Sequence, residues 1–218
     1  MSNLSTTANV RVAVRIRPLN SRERLAGSTE CISVVAGVPQ IIAGPDRSFT
    51  FDSVFDPVAG QESVFGELAA PLLDYFFDGY NCTILAYGQT GSGKTFTMGT
   101  GMDGNIDSTT QGIVPRAIEH ILGRLQGYSS NDFWEIYVSF LEIYNEEIID
   151  LLSPVTSSGK KHTLSIREDA CGEIFLTGIK EEKVESGDDV FGYLFIFLTC
   201  CLVCCTKVHY VGPPKAPI

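Results

Sequence analysis

Gly88 to Thr95 read GQTGSGKT, a glycine-spaced run that ends in a lysine and a hydroxyl. The run fits G-x-x-x-x-G-K-[ST] at every fixed position, with Gln89, Thr90, Gly91 and Ser92 between Gly88 and Gly93, and Lys94 and Thr95 closing it. Glycine tolerates positive φ, so such a chain curls with its N–H groups pointing inward. Those groups form a concave anion site, and a following helix adds the positive end of its dipole. At this spacing the Lys94 ammonium would sit on the β- and γ-phosphates of a nucleotide, and the Thr95 hydroxyl would ligate Mg²⁺. A glycine-serine linker is the bland alternative. It does not account for a Lys-Thr pair closing an apolar run at this spacing. Taken alone, the motif specifies the phosphate of a nucleotide and does not separate kinase, GTPase, motor or pump.

A phosphate loop needs a strand before it and a helix after it. Thr83 to Tyr87 (TILAY) predicts the strand, and a helix is expected from Lys94, with a polar, glycine-rich loop over Gly99–Thr110. The alternation in VRVAVRI, Val10 to Ile16, predicts a strand stopped by Pro18. CISVV, QIIA and SFTFDSVF, divided by glycines and prolines, predict a small meander between Thr29 and Phe55. Val64, Phe65, Leu68, Leu72, Leu73 and Phe76 form one apolar stripe, so Gln61–Tyr80 is expected to be a helix. Gly112–Leu125 predicts a second helix, with Pro115 tolerable in its first turn. Phe133–Tyr144 predicts a long strand, and NEEIIDLL a short helix ended by Pro154. Short strands are expected between Lys160 and Val184. Tyr87, Trp134 and Tyr144 read as core packing. Strands alternating with helices indicate an α/β fold with a mostly parallel central sheet.

Composition narrows the class. At 218 residues and 44% hydrophobic content the chain suits one domain with a buried core. A net charge of -10 gives no general support for nucleic acid as a partner. The polar start MSNLSTTANVRV predicts no signal peptide. Seven cysteines, an odd number with four in CCLVCC, favour a reduced cytosolic setting over a disulfide framework.

Four stretches together resemble the kinesin motor domain. VRIRPLN, Val14 to Asn20, resembles the family's R-x-R-P-x-N, and Phe51-Asp52-Ser53-Val54-Phe55 its F-D-x-V-F. Gly79 to Met98 resembles its full phosphate-loop signature. SFLEIYNE, Ser139 to Glu146, followed by Asp150-Leu151-Leu152, resembles its S-x-x-E-I-Y-N-E…D-L-L. The match covers roughly residues 9 to 193, and GIVPRAI and IREDACGEIFLTG are most similar to the kinesin-4, chromokinesin-like group. The resemblance implies a phosphate-loop NTPase-type α/β motor fold, with ATP and Mg²⁺ as cofactors. It places Arg15 and Pro18 beside the adenine with Phe96 against the other side. Flat guanidinium, pyrrolidine and aromatic surfaces suit a purine. Taken without the family, Arg15 and Arg17 read as a solvated strand end. Tyr80 reads either as a residue near the base or as a core tyrosine, and Glu142 and Glu146 as strand–helix packing residues without a catalytic role. The family also implies a microtubule partner and a cytoplasmic, cytoskeletal location.

The family's two switch motifs, N-x-x-S-S-R-S-H and D-L-A-G-S-E, do not occur in the 218 residues. Asp169–Gly172 and Asp189–Gly192 match D-x-x-G, but neither follows an apolar strand, so both read as chance. The resemblance therefore implies a partial motor domain over 1–193, lacking its C-terminal part, most of its microtubule-binding face and any assigned catalytic residue. A non-family apolar, cysteine-rich tail follows over 194–218. Tyr193 to Cys205 is too short for a membrane span, which needs ~20 residues. Zinc at Cys201-x-x-Cys204 lacks a second ligand pair, S-acylation lacks a polybasic flank, and an exposed FIFL run would promote aggregation. Three readings stay open: a motor whose catalytic remainder lies elsewhere, a non-motile ATP-binding module, and a fragment with open sheet edges.

Overall fold

The structure, a computed structural model, describes residues 10–99, 109–127, 135–154 and 162–184, together with the backbone of 204–210. β1 (Ala13–Arg15) lies parallel to β5 (Ser53–Phe55), in the register Ala13–Ser53, Val14–Val54, Arg15–Phe55. Asp52 extends this pairing, because its carboxylate accepts the Val12 N–H at 2.7 Å while its own N–H donates to Val12 O at 2.9 Å. The segment between them holds α1 (Ser21–Leu25) and the antiparallel meander β2 (Ile32–Val34), β3 (Gln40–Ala43) and β4 (Arg47–Thr50).

Although α1 is only five residues long, it is firmly started. Asn20 Oδ1 accepts the Glu23 N–H at 2.9 Å, and Glu23 Oε2 accepts the Asn20 N–H at 2.7 Å, a reciprocal capping box. Glu23 also takes both guanidinium nitrogens of Arg17, at 2.7 and 3.0 Å. The Arg17 bonds first, then the Asn20 N–H, pull its carboxyl from 4.5 down to about 2. A carboxylate depressed in the fold stabilises it fully above its ordinary range, and that contribution is lost as pH falls through about 2. Carboxyl-detected NMR titration should therefore place the Glu23 midpoint near 2, and a midpoint at 4 or above would show that the Arg17 pair does not hold in solution.

The expected long helix divides into α2 (Gln61–Val64), a π-type turn (Phe65–Ala69) and α3 (Ala70–Phe77). Pro71 explains the break, since a proline inside an α-helix lacks an N–H and clashes with the carbonyl four residues back. The wider turn, closed by Ala70 N–H to Phe65 O, absorbs the extra residue. The apolar stripe is split accordingly. Val64 and Ala69 pack with Phe55 and Ile113 in one cluster, whereas Leu73 and Phe77 join Ile118, Ile121, Leu125, Ile136, Val138 and Phe140 in the other.

Next come α4 (Lys94–Met98) and α5 (Ile113–Leu125), the latter with Pro115 in its first turn as expected. Arg124 closes α5 onto α3 through Asp74 Oδ1 at 2.5 Å and the Phe77 ring at 4.4 Å. β6 (Ile136–Tyr144) and β7 (Glu147–Asp150) follow, where the sequence predicts a strand and a helix. NEEIIDLL is a strand because Asn145 and Glu146, at φ 48° and 66°, make a two-residue hairpin loop that turns Ile148 and Ile149 back along β6. The buried Asp150 carboxylate then accepts Leu152 N–H, Ser153 Oγ–H and Lys180 N–H at 2.8–2.9 Å, which tethers the turn that a helix would have occupied. β8 (His162–Glu168), β9 (Ile174–Thr177), β10 (Glu182–Val184) and β11 (Cys204–Tyr210) complete the chain order.

Helices and mixed sheets make this an α/β protein, but the parallel centre expected from the sequence is narrower than foreseen. β1–β5 is the only parallel ladder among the described residues. β6–β7 and β8–β9 are joined by tight loops, and short loops allow only antiparallel pairing. Thr83–Tyr87, the predicted strand before the phosphate loop, carries no ladder among the described residues. A β-prone run becomes a strand only beside a partner. Ile84 is half-buried in the Phe55–Val64 cluster, while Leu85 and Tyr87 are 85% and 102% exposed. Tyr87 and Tyr144 are therefore not core residues, and Trp134 lies outside the described residues. Tyr80 is exposed as well, edge-on to Tyr75 at 6.4 Å.

Candidate functional site

The phosphate-loop sequence forms a turn directly after residues 81–88, which belong to no helix or strand. Gly91 and Gly93 stand at φ +78° and +99°, the left-handed region that side chains with a Cβ resist. Gly88 is tight for a different reason: a Cβ there would lie 2.5 Å from Ser92 Oγ. Ser92 N–H donates to Gln89 O at 3.1 Å and holds the curl. Gly93 is the N-cap of α4, and no side chain caps it. The first N–H groups of a helix lack intrahelical acceptors, so this end offers donors to an anion. Lys94 folds back over the loop, its Nζ donating to Gly88 O at 2.6 Å and Gln89 O at 2.9 Å. Thr95 follows on the first turn of α4 with its residue exposed.

Arg15 and Phe96, which the resemblance implies on opposite sides of an adenine, lie directly against each other here, with the guanidinium carbon 5.2 Å from the ring centroid. The guanidinium is fixed from the other side. It donates to Gln61 Oε1 at 2.7 Å, Thr97 Oγ1 at 3.0 Å and Ala59 O at 3.2 Å, and burial lowers its pKa. It is thus not the solvated strand end that the bare residues suggested. Pro18 is exposed at the end of the same segment, and its carbonyl accepts from Arg17 at 3.0 Å.

Two further residues matter here: Gln61, which sequence reasoning did not single out, and Arg17, which it read as a solvated strand end. Gln61, buried at the start of α2, accepts from Arg15 and donates to Phe96 O at 2.6 Å and Thr110 O at 3.1 Å. It ties β1, α2, α4 and the approach to α5 into one network, yet in the sequence it is the first of three successive polar residues, Gln61-Glu62-Ser63, and nothing marks it out. Arg17 stands beside the loop, because a Cβ on Gly93 would lie 3.8 Å from Arg17 Cδ.

Other candidates resolve as structural. Asp169 Oδ1 accepts the N–H groups of Cys171 and Glu173 at 2.7 and 2.9 Å, so the first D-x-x-G is the turn of the β8–β9 hairpin. The second, Asp189–Gly192, and Cys201 lie outside the described residues. Glu142 is buried on β6, and Glu146 is exposed in the hairpin loop. Among the described residues no three His, Cys, Asp or Glu could hold a metal ion, and no helix is long and apolar enough to cross a membrane.

Helices and sheets arranged around a glycine-built turn that opens a helix make this an α/β protein. The kinesin motor domain family model matches residues 15–197, and the chain belongs to that family. It is 42% identical over 193 residues to the human kinesin-like protein KIF21B, covering 83% of this chain and 12% of that protein. It is 47% identical over 176 residues to the human chromosome-associated kinesin KIF4A, covering 80% of this chain and 14% of that one. Its backbone matches the solved structure of a fast kinesin with a TM-score of 0.77 at 31% identity, over 87% of this chain and 52% of the other. The chain thus spans a small part of the curated relatives it matches, and about half of that solved structure.

Proposed function

We propose that Gly88–Thr95 binds the triphosphate of Mg·ATP, and that the whole protein uses it for ATP-driven movement on microtubules in the cytoplasm. The observation that carries this reading is the formed turn: positive φ at Gly91 and Gly93, an uncapped helix start, and a lysine poised over its mouth. Lys94 would exchange the Gly88 and Gln89 carbonyls for β- and γ-phosphate oxygens, and Thr95 would offer its hydroxyl to the magnesium ion. Bound magnesium supplies charge neutralisation across the β- and γ-phosphates. Arg15, fixed by Gln61, Thr97 and Ala59, would line the adenine side together with Pro18, and Phe96 would have to part from the guanidinium to admit a base between them.

Hydrolysis is a separate matter. In phosphoryl transfer, residues that place the attacking water do much of the work, and the 218 residues contain neither switch motif of the family. The polypeptide is therefore proposed to retain nucleotide without turning it over, which makes a non-motile ATP-binding module the second reading. Equilibrium binding of a fluorescent ATP analogue with Mg²⁺, alongside phosphate release with and without microtubules, tests both. Saturable binding with no stimulated turnover is expected. Absence of binding would sink the site, and microtubule-stimulated turnover would sink the claim of inactivity.

A further inference from the structure

We infer that Cys204–Tyr210 is a sheet seal supplied by the chain itself, covering an edge of β6 that would otherwise pair with other molecules. The residues of β6 are paired twice over. β10 takes Ile136–Val138 and β7 takes Leu141–Tyr144, while β11 runs antiparallel to the whole stretch from Ile136 to Glu142. A strand has two edges, with successive N–H groups pointing alternately to one and the other. Because β10 and β11 both pair with Ile136, Tyr137 and Val138, they lie on opposite edges. The same holds for β7 and β11 at Leu141 and Glu142. β11 therefore covers the second edge of β6 over seven consecutive pairs.

The edge it covers belongs to the core. Ile136, Val138, Phe140 and Leu141 are all under 9% exposed. A long open edge on such a strand is a template for intermolecular pairing. The sealing strand is itself poorly suited to pass the ladder on. Its sequence, CCTKVHY, carries a lysine at its central position, a residue type that blunts an edge strand. Among the described residues no ladder forms on the outer side of β11. The tail, read from sequence as foreign to the family and prone to aggregate, thus contributes over 204–210 a strand that opposes aggregation.

Amide hydrogen exchange on the full chain tests this, together with the full-length variants Thr206→Pro and Lys207→Pro. In the native chain both alternating sets of β6 amides between 136 and 142 should be protected. Of two adjacent prolines, one removes an N–H that faces β6 and the other removes an outward N–H. One variant should therefore speed exchange of the β11-facing set by about tenfold or more and shift the chain to larger species on size exclusion, while the other stays close to the native pattern. Protection of a single alternating set in the native chain would overturn the proposal, whatever the variants do. So would native exchange and size in both proline variants.

Discussion

Replacing Lys94 with alanine is expected to weaken Mg·ATP binding by about 30- to 100-fold, or ~2–3 kcal/mol, the scale of a lost charge-assisted hydrogen bond in a phosphate site. The fold should be almost indifferent to the change. Among the described residues, Lys94 Nζ bonds to the Gly88 and Gln89 carbonyls, on a loop whose curl is also held by the Ser92–Gln89 backbone bond. Isothermal titration of native and variant chains, with a melting curve for each, separates the two effects. Equal affinity would mean that the loop does not hold the triphosphate, and a large drop in Tm would mean that the lysine is chiefly structural.

The largest effect on stability is expected at Gly112. Its φ of -81° suits any residue, so the constraint is space. A Cβ there would meet the Gly99 carbonyl oxygen, and it would lie 2.7 Å from both Met98 C and Thr97 O. These are backbone atoms at the end of α4, so no side chain can swing aside. Overpacking costs ~1–3 kcal/mol, and Gly112→Ala belongs at the upper end, a fall in Tm of about 6–12 °C for a chain of this size. Gly123 supplies the internal contrast. It lies in α5, where a Cβ would meet nothing within 4 Å, and Gly123→Ala should stabilise by ~0.5–1 kcal/mol through helix propensity. Urea unfolding of the two variants should move in opposite directions. Equal shifts would show that α4 and α5 do not approach as closely as the Gly112–Gly99 contact requires.

The glycine turn was more legible than the sheet beside it. It is encoded locally, by glycines at fixed spacing before Lys94 and Thr95, and so the start of α4 at Lys94 could be read from the residues. The direct contact of Arg15 with Phe96 was not legible, since the two stand far apart in sequence and the family resemblance implies a base between them. Gln61 was missed because it opens a polar run, Gln61-Glu62-Ser63, that reads as an ordinary solvated helix start. The helix expected at NEEIIDLL failed because a two-residue left-handed loop overrides local preference, and Glu146 is an unusual residue at positive φ. Thr83–Tyr87 shows the opposite limit. Its composition is that of a strand, but a ladder depends on a neighbour that no local pattern specifies.

The π-type turn at Phe65–Ala69 also bears on how this segment can change over evolutionary time. One residue advances a helix by about 100°. A π-type turn holds one residue more than an α-turn, so losing one residue within 65–69 would close it into ordinary α-helix with Val64 still in the Phe55–Ile113 cluster and Leu73 and Phe77 still in the cluster built on Ile118, Ile121 and β6. Losing one from α2 or α3 would instead turn part of the stripe away from its cluster. Related chains should therefore differ in length by one position within 65–69 more readily than elsewhere between 61 and 77.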